Sequence, residues 1–214
     1  MYLGIYNDRS LMQRIVDEIS QLDVDALMIA GDFTYEAKRD ELEELFEPLG
    51  RLKIPIYAVL GNHDCQRLGS DIRDRLEKVL ESYGVEVITN RSVKLNGITI
   101  LGLGSHWARD DKVSLLDRYS DREDLIVSTH NPDTVLDYES DHHPDLTLSG
   151  HIHGGEVRIS YIYKRVIPVK GVVLWDKGLM SYRGNQVFIT SGIGSIGLPL
   201  RFLIPPTIDI LRLY

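Results

Sequence analysis

The chain has 214 residues, long enough to bury a full core without cross-links, and its 43% apolar and 26% charged residues are those of an ordinary globular protein. The formal net charge of −8 excludes a broad basic face, so no nucleic-acid partner is expected. The single cysteine, Cys65, excludes an internal disulfide and a thiolate-rich zinc site, and no apolar run approaches the roughly 20 residues that cross a bilayer. No signal peptide opens the chain, so a cytoplasmic or membrane-peripheral location is expected.

In chain order, residues 1–6 read as short and irregular. Ser10 reads as an N-cap with Gln13 closing a capping box, and Leu11, Met12, Ile15, Val16 and Ile19 recur at helical spacing. Residues 26–30 are an uninterrupted apolar run, as in a strand covered on both faces, and lead into Gly31-Asp32. Leu42, Leu45, Phe46 and Leu49 carry a second helix that stops at Gly50. Residues 54–60 are the next buried strand, ending in Gly61-Asn62-His63-Asp64. A third helix over 71–83 rests on Ile72, Leu76, Val79 and Leu80. Strand and helix in alternation predict a parallel sheet of βαβ units.

The pattern then changes. Residues 93–100 alternate around Asn96-Gly97, a strong type I′ hairpin signal, so the second half contains antiparallel strands. Residues 125–128 and 146–149 are further apolar strands, ending in Thr129-His130 and Gly150-His151-Ile152-His153. Residues 157–163, 187–190 and 208–213 read as closing strands, and 137–145 as a surface loop. The expected fold class is α/β, one domain over 1–214, with two sheets packed as a β-sandwich, a βαβαβ core and helices outside.

Four apolar runs thus end in residues of one chemical kind: Asp32, Asn62 with His63, His130, and His151 with His153. Ligands of open α/β sheets gather at the carboxyl ends of strands, so these tips can converge. Singly, each has a bland alternative: a Gly-Asp turn, an Asn-His-Asp cap, a core histidine. Together they point to a metal centre. Carboxylate, amide oxygen and imidazole without thiolate suit Mn²⁺, Fe or Zn²⁺, and Mn²⁺ is expected first. Two ions about 3.5–4 Å apart can hold a phosphoryl group and activate a water between them.

Gly31-Asp32, Gly61-Asn62-His63-Asp64, Thr129-His130 and Gly150-His151-Ile152-His153-Gly154-Gly155 resemble, in order and spacing, the later signature blocks of the calcineurin-like metallophosphoesterase superfamily. Ser191-Gly192-Ile193-Gly194 and Leu198-Pro199-Leu200-Arg201-Phe202 are similar to a branch of bacterial membrane-associated or exported phosphodiesterases, with relatives that cleave the diphosphate of UDP-diacylglucosamine. The resemblance implies a binuclear metal centre. Asp32 would bridge two divalent ions, Asn62, His130 and His151 would complete the second site, and His153 would belong to the first. His63 would stabilise phosphoryl oxygens or protonate the leaving oxygen, with Asp64 orienting it.

One block departs from the pattern. The family opens with a strand ending in Asp-x-His followed by Leu-Gly or similar, whereas this chain opens Met1-Tyr2-Leu3-Gly4. Tyr2 then stands where the histidine belongs, the Asp would precede Met1, and the first strand is expected to be missing. Tyr2 is expected to substitute poorly, because a phenol with a pKa of about 10 must lose its proton to bind well. A shortened form of a longer protein is favoured over a protein that has lost the block, and the resemblance implies two ions, or one here if the first site is incomplete. A core sheet without its first strand should self-associate.

The expected function is a metal-dependent phosphoesterase that hydrolyses phosphodiester or pyrophosphate bonds by a metal-bound hydroxide. A phosphate-ester or pyrophosphate is the expected substrate, and peripheral membrane contact the expected setting. The rival is a degenerate member serving as a metal-binding or protein-interaction scaffold.

Overall fold

The structure, a computed structural model, describes residues 1–4, 7–65, 72–119, 124–153, 176–195, 201 and 203–213. Its first half alternates strand and helix: β1 Leu3–Gly4, α1 Arg9–Ile19, β2 Leu27–Ala30, β3 Thr34–Tyr35, α2 Leu42–Phe46, β4 Ile56–Val59, α3 Arg73–Ser82 and β5 Val85–Val87. Then come β6 Ser92–Leu95, β7 Ile98–Gly102, β8 Leu125–Ser128, β9 Leu146–Ser149, β10 Gly178–Tyr182 and β11 Asn185–Ile189.

Two sheets carry the architecture. Strands β2, β4 and β5 form a parallel three-stranded sheet in the order β2-β4-β5. The other sheet has the order β10-β11-β9-β8-β7-β6. Among the described residues its four central strands run parallel, and only the edge strands β6 and β10 pair antiparallel. Among the described residues the antiparallel character expected of the second half is therefore confined to hairpins at the two edges. One of them is the 92–102 hairpin, with Asn96 at φ 50° and Gly97 at φ 93°, the two left-handed residues that a type I′ turn needs.

The apolar periodicity places each face. Met12, Ile15, Val16 and Ile19 bury one stripe of α1, and Leu76, Val79 and Leu80 one stripe of α3. Met12 and Val16 of α1 and Leu76, Val79 and Leu80 of α3 pack with Leu42, Phe46 and Leu49 on the helix side of the three-stranded sheet against Ile29, Ile56 and Ala58. The opposite side of that sheet meets the larger one through Tyr57, Val59, Ile88 and Ile100. A further core of Leu101, Val127, Val187 and Ile189, with Leu116 and Val135 from two short 3₁₀ turns, covers the outer side of the larger sheet.

Several expectations need correction. Residues 1–6 are not wholly irregular: Leu3–Gly4 pairs in parallel with Thr34–Tyr35 as a separate small sheet. Strand β2 is only partly buried, because it is the outer strand of its sheet among the described residues. The second helix turns 3₁₀ at Glu47–Arg51, since Pro48 has no N–H to continue the α ladder. Residues 208–213 form no strand; they run without regular pairing, and Ile210 and Leu213 are 55% and 52% exposed. The expected strand over 157–163 and most of the 198–202 run lie outside the described residues.

The cap of α1 is also displaced. Asp8, not Ser10, is the N-cap: its Oδ1 accepts from the Ser10 N–H at 2.9 Å and from the Ser10 hydroxyl at 2.5 Å, while Gln13 reaches forward to Asp17. The Ser10 hydroxyl and N–H hold the Asp8 carboxyl below its ordinary pKa. A depressed carboxyl contributes stability above its unfolded pKa and loses it as the pH falls through the folded one. Asp8→Ala is therefore expected to lower the urea midpoint at pH 7. The gap to wild type should narrow steadily as the pH drops below about 4. A gap independent of pH would refute the capping account.

Candidate metal centre

The donor residues stand at the carboxyl ends of parallel strands in both sheets. Asp32 follows β2, Asn62 and His63 follow β4, His130 follows β8, and His151 and His153 follow β9. The backbone there is unusual: Asp32, His151 and His153 have φ of 52°, 67° and 51°. Left-handed non-glycine residues cost of order 1 kcal/mol or more each and cluster at functional sites. Gly61 admits the Asp32 carboxylate, since a Cβ there would stand 2.1 Å from Asp32 Oδ1.

Three side chains meet around the imidazole of His130. Its Nε2 lies 3.0 Å from Asp32 Oδ2, 3.1 Å from Asn62 Oδ1 and 3.0 Å from His151 Nδ1. The other ring nitrogen, Nδ1, faces the Ala30 carbonyl at 2.6 Å. A carbonyl only accepts, so the ring keeps a proton on Nδ1 and turns Nε2 toward the other donors. Asp32, His130 and His151 are all buried, and their ligating atoms lie within 4.8 Å of one another.

The electrostatics ask for positive charge. Burial drives His130 toward neutrality, yet the facing Asp32 carboxylate, its hydrogen bond and the Ala30 carbonyl lift the pKa above the ordinary imidazole value. Burial pushes Asp32 up, but His130, His63 and His151 outweigh it and hold the carboxyl well below its usual range. A proton on His130 occupies the place that a cation would take. These residues thus fit a metal ion: Asp32, Asn62, His130 and His151 would hold it, with an N/O donor set suited to Mn²⁺, Fe or Zn²⁺.

The remaining expected residues sit close by. The His63 N–H donates to Asp32 Oδ1 at 3.0 Å, and its ring packs 5.2 Å from the Tyr2 ring and 5.4 Å from the Tyr35 ring. Asp64 is buried and accepts from the N–H groups of Gly61 (2.9 Å), Phe33 (3.1 Å) and Thr34 (3.0 Å) and from the Thr34 hydroxyl (3.1 Å). It thereby organises the turns that carry Asp32 and Asn62, rather than the His63 ring. Burial and the Asp32 charge push its carboxyl up. His153 is set apart from His130: its Nε2 lies 2.8 Å from the Tyr2 hydroxyl, and burial lowers its pKa to about 3, so the ring is neutral near pH 7.

Two further features adjoin the centre. Trp107 sets its ring 5.1 Å from that of His151, and a pocket beside Asn62 is lined by Cys65, Arg73, Trp107 and Arg109. The loop bearing Trp107 is pinned by Asn90, whose Oδ1 accepts from Gly104 and Lys112 and whose Nδ2 donates to the Asp110 carbonyl. Nearby, His106 Nδ1 lies 2.9 Å from Asp111 Oδ2 and 3.5 Å from Asp137 Oδ2. Apart from Arg73, at the start of α3, these residues come from loops and short 3₁₀ turns, where spacing predicts no convergence.

A sandwich of two sheets whose parallel strand tips bring carboxylate, amide and imidazole donors together defines a metal-binding class of site. The chain belongs to the calcineurin-like phosphoesterase family, whose sequence profile matches residues 5–155. It is 29% identical to an uncharacterized metallophosphoesterase of Helicobacter pylori, covering 100% of this chain and 57% of that protein. The chain therefore spans little more than half the length of that relative. It is 31% identical to the uncharacterized metallophosphoesterase YkoQ of Bacillus subtilis (83% of this chain, 68% of that protein). It is 26% identical to the phosphodiesterase YaeI of Escherichia coli (88% and 70%). A solved crystal structure superposes with a TM-score of 0.55 at 12% identity over 85% of this chain and 86% of the other, a likeness of fold alone.

Proposed function

We propose that the chain hydrolyses phosphodiester or pyrophosphate bonds at the centre built on Asp32, Asn62, His130 and His151. The observation that carries this reading is the convergence of Asp32, Asn62 and His151 on His130 Nε2. When bound there, a metal ion would supply Lewis acidity, drawing charge from a phosphoryl oxygen and activating water. Asp32 provides the buried negative charge, and the His63 N–H and the Asp64-braced turn hold it in place. The His63 ring, packed between Tyr2 and Tyr35, is held beside the centre as the proton donor to the leaving oxygen. Trp107 and His151 form one wall of the cleft.

Arg73 and Arg109 favour a substrate with a second charged or esterified group over a monoester. Both line the pocket that opens beside Asn62, and Arg73 is oriented by Asp110 at 3.2 Å. Guanidinium groups recognise phosphate strongly. The relative named as a phosphodiesterase supports the same preference.

The test uses the chain loaded with Mn²⁺ and two chromogenic substrates, bis(p-nitrophenyl) phosphate and p-nitrophenyl phosphate. Diester turnover is expected at least about tenfold above monoester turnover, a difference of some 1.4 kcal/mol in barrier. A chelator should abolish it, and Mn²⁺ should restore it. No hydrolysis in Mn²⁺, or hydrolysis indifferent to the chelator, would sink the proposal.

A further inference from the structure

Tyr2 is placed as part of the centre rather than beside it. Its side chain is fully buried, and its backbone lies in the left-handed region at φ 59°, which a bulky residue rarely adopts. Its hydroxyl donates to Asp32 Oδ2, and the same oxygen lies 2.8 Å from His153 Nε2. The other His153 nitrogen, Nδ1, faces the Gly194 carbonyl at 3.3 Å. That arrangement sets the ring proton on Nδ1 and turns the Nε2 lone pair toward Tyr2, as the Ala30 carbonyl does for His130.

The phenol oxygen therefore stands between two acceptors with one proton to give. Replacing that proton by a cation lets the phenolate, the carboxylate and the imidazole all donate to one centre. Asp32 Oδ2 also lies 3.0 Å from His130 Nε2, so a single carboxylate oxygen belongs to both clusters.

We propose that Tyr2 is a metal ligand: its phenolate, Asp32 Oδ2 and His153 Nε2 form a second cation position that shares Asp32 with the first. The proposal rests on the reading of the Asp32–Asn62–His130–His151 cluster as a metal centre. It reverses the expectation that a tyrosine at this place substitutes poorly, because a preformed buried site with a cation present favours the deprotonated ligand. On binding, the phenolic O–H bond breaks, an O–metal bond forms and one proton leaves to solvent; no electron is transferred. Two anionic oxygens and one imidazole suit ferric iron, for which tyrosinate is a known type of ligand.

The test loads the whole chain with ferric citrate, desalts it, and reads ions per chain by elemental mass spectrometry together with the visible absorption spectrum. Wild type should hold two ions and show a phenolate-to-iron charge-transfer band. Tyr2→Phe should hold one ion and lose the band, while Tyr2→His should hold two ions without it. Should Tyr2→Phe fail to fold by circular dichroism, His153→Ala, which keeps the phenol, should also lose the band. A wild type with one ion and no band overturns the proposal and leaves the first cluster standing. Tyr2→Phe with two ions, or a band that survives it, overturns the proposal as well. A wild type with no bound ion overturns both the proposal and the reading beneath it.

Discussion

Asp32→Asn is expected to lower Mn²⁺ affinity at least about 100-fold and diesterase turnover by about 10³, while leaving the fold intact. Loss of residues that merely orient ligands already costs 10–100-fold in metal affinity, so removing the charged ligand itself sets that range as a floor. Losing one electrostatic contact to developing charge costs 10²–10³ in rate. The substitution isolates charge from shape. An asparagine Oδ1 can still accept the His63 N–H that now donates to Asp32 Oδ1 at 3.0 Å, so the strand tip keeps its brace. What disappears is the negative charge beside His130 Nε2, 3.0 Å away, which holds the His130 pKa up. Competition against a fluorescent chelator reads the affinity, and urea unfolding of the metal-free protein reads the fold. Wild-type affinity in the asparagine variant would refute the assignment of Asp32. An unfolded variant would show that the carboxylate is structural first.

Asp64→Ala is expected to lower the unfolding free energy by roughly 3–5 kcal/mol, the range for stripping one partner from a buried charged network. The cost follows from what the carboxylate accepts. Three backbone N–H groups, those of Gly61, Phe33 and Thr34, and the Thr34 hydroxyl would lose their buried acceptor together. Each unsatisfied donor costs about 1–3 kcal/mol, offset in part because burial and the Asp32 charge already disfavour the ionised Asp64. Asp64→Asn should fall between wild type and alanine, since one amide oxygen can still accept. The same turns carry Asp32 and Asn62, so metal affinity should drop in parallel with stability. The measurement is the urea midpoint and slope of the metal-free chain. A loss under about 1 kcal/mol would mean that water or a neighbour replaces the carboxylate.

Part of this centre is written in local pattern. Apolar runs at 27–30, 56–59, 125–128 and 146–149 became parallel strands, and each ends in the donor residues noted there. The stripe of α1 and the Asn96-Gly97 turn followed from periodicity and turn chemistry in the same way. The capping box failed because Ser10 is itself a donor to Asp8, a competition between neighbouring side chains that no motif resolves. The run 208–213 failed because an alternating apolar pattern says which residues could face a sheet, not whether a partner strand stands beside them.

By itself, then, the sequence determined the α/β class, the strand tips and the chemistry of their donors, because these depend on residue type and on periods of two and 3.6. Only the tertiary structure decided which donors share an atom and which proton each ring keeps. His130 reaches back 100 positions to the Ala30 carbonyl, and Tyr2 meets His153 across 151. The left-handed backbone at Tyr2, Asp32, His151 and His153 aims those side chains, and none of the four is glycine, the residue type that a sequence marks for it. Such conformations are held by the surrounding packing and are invisible to local propensity.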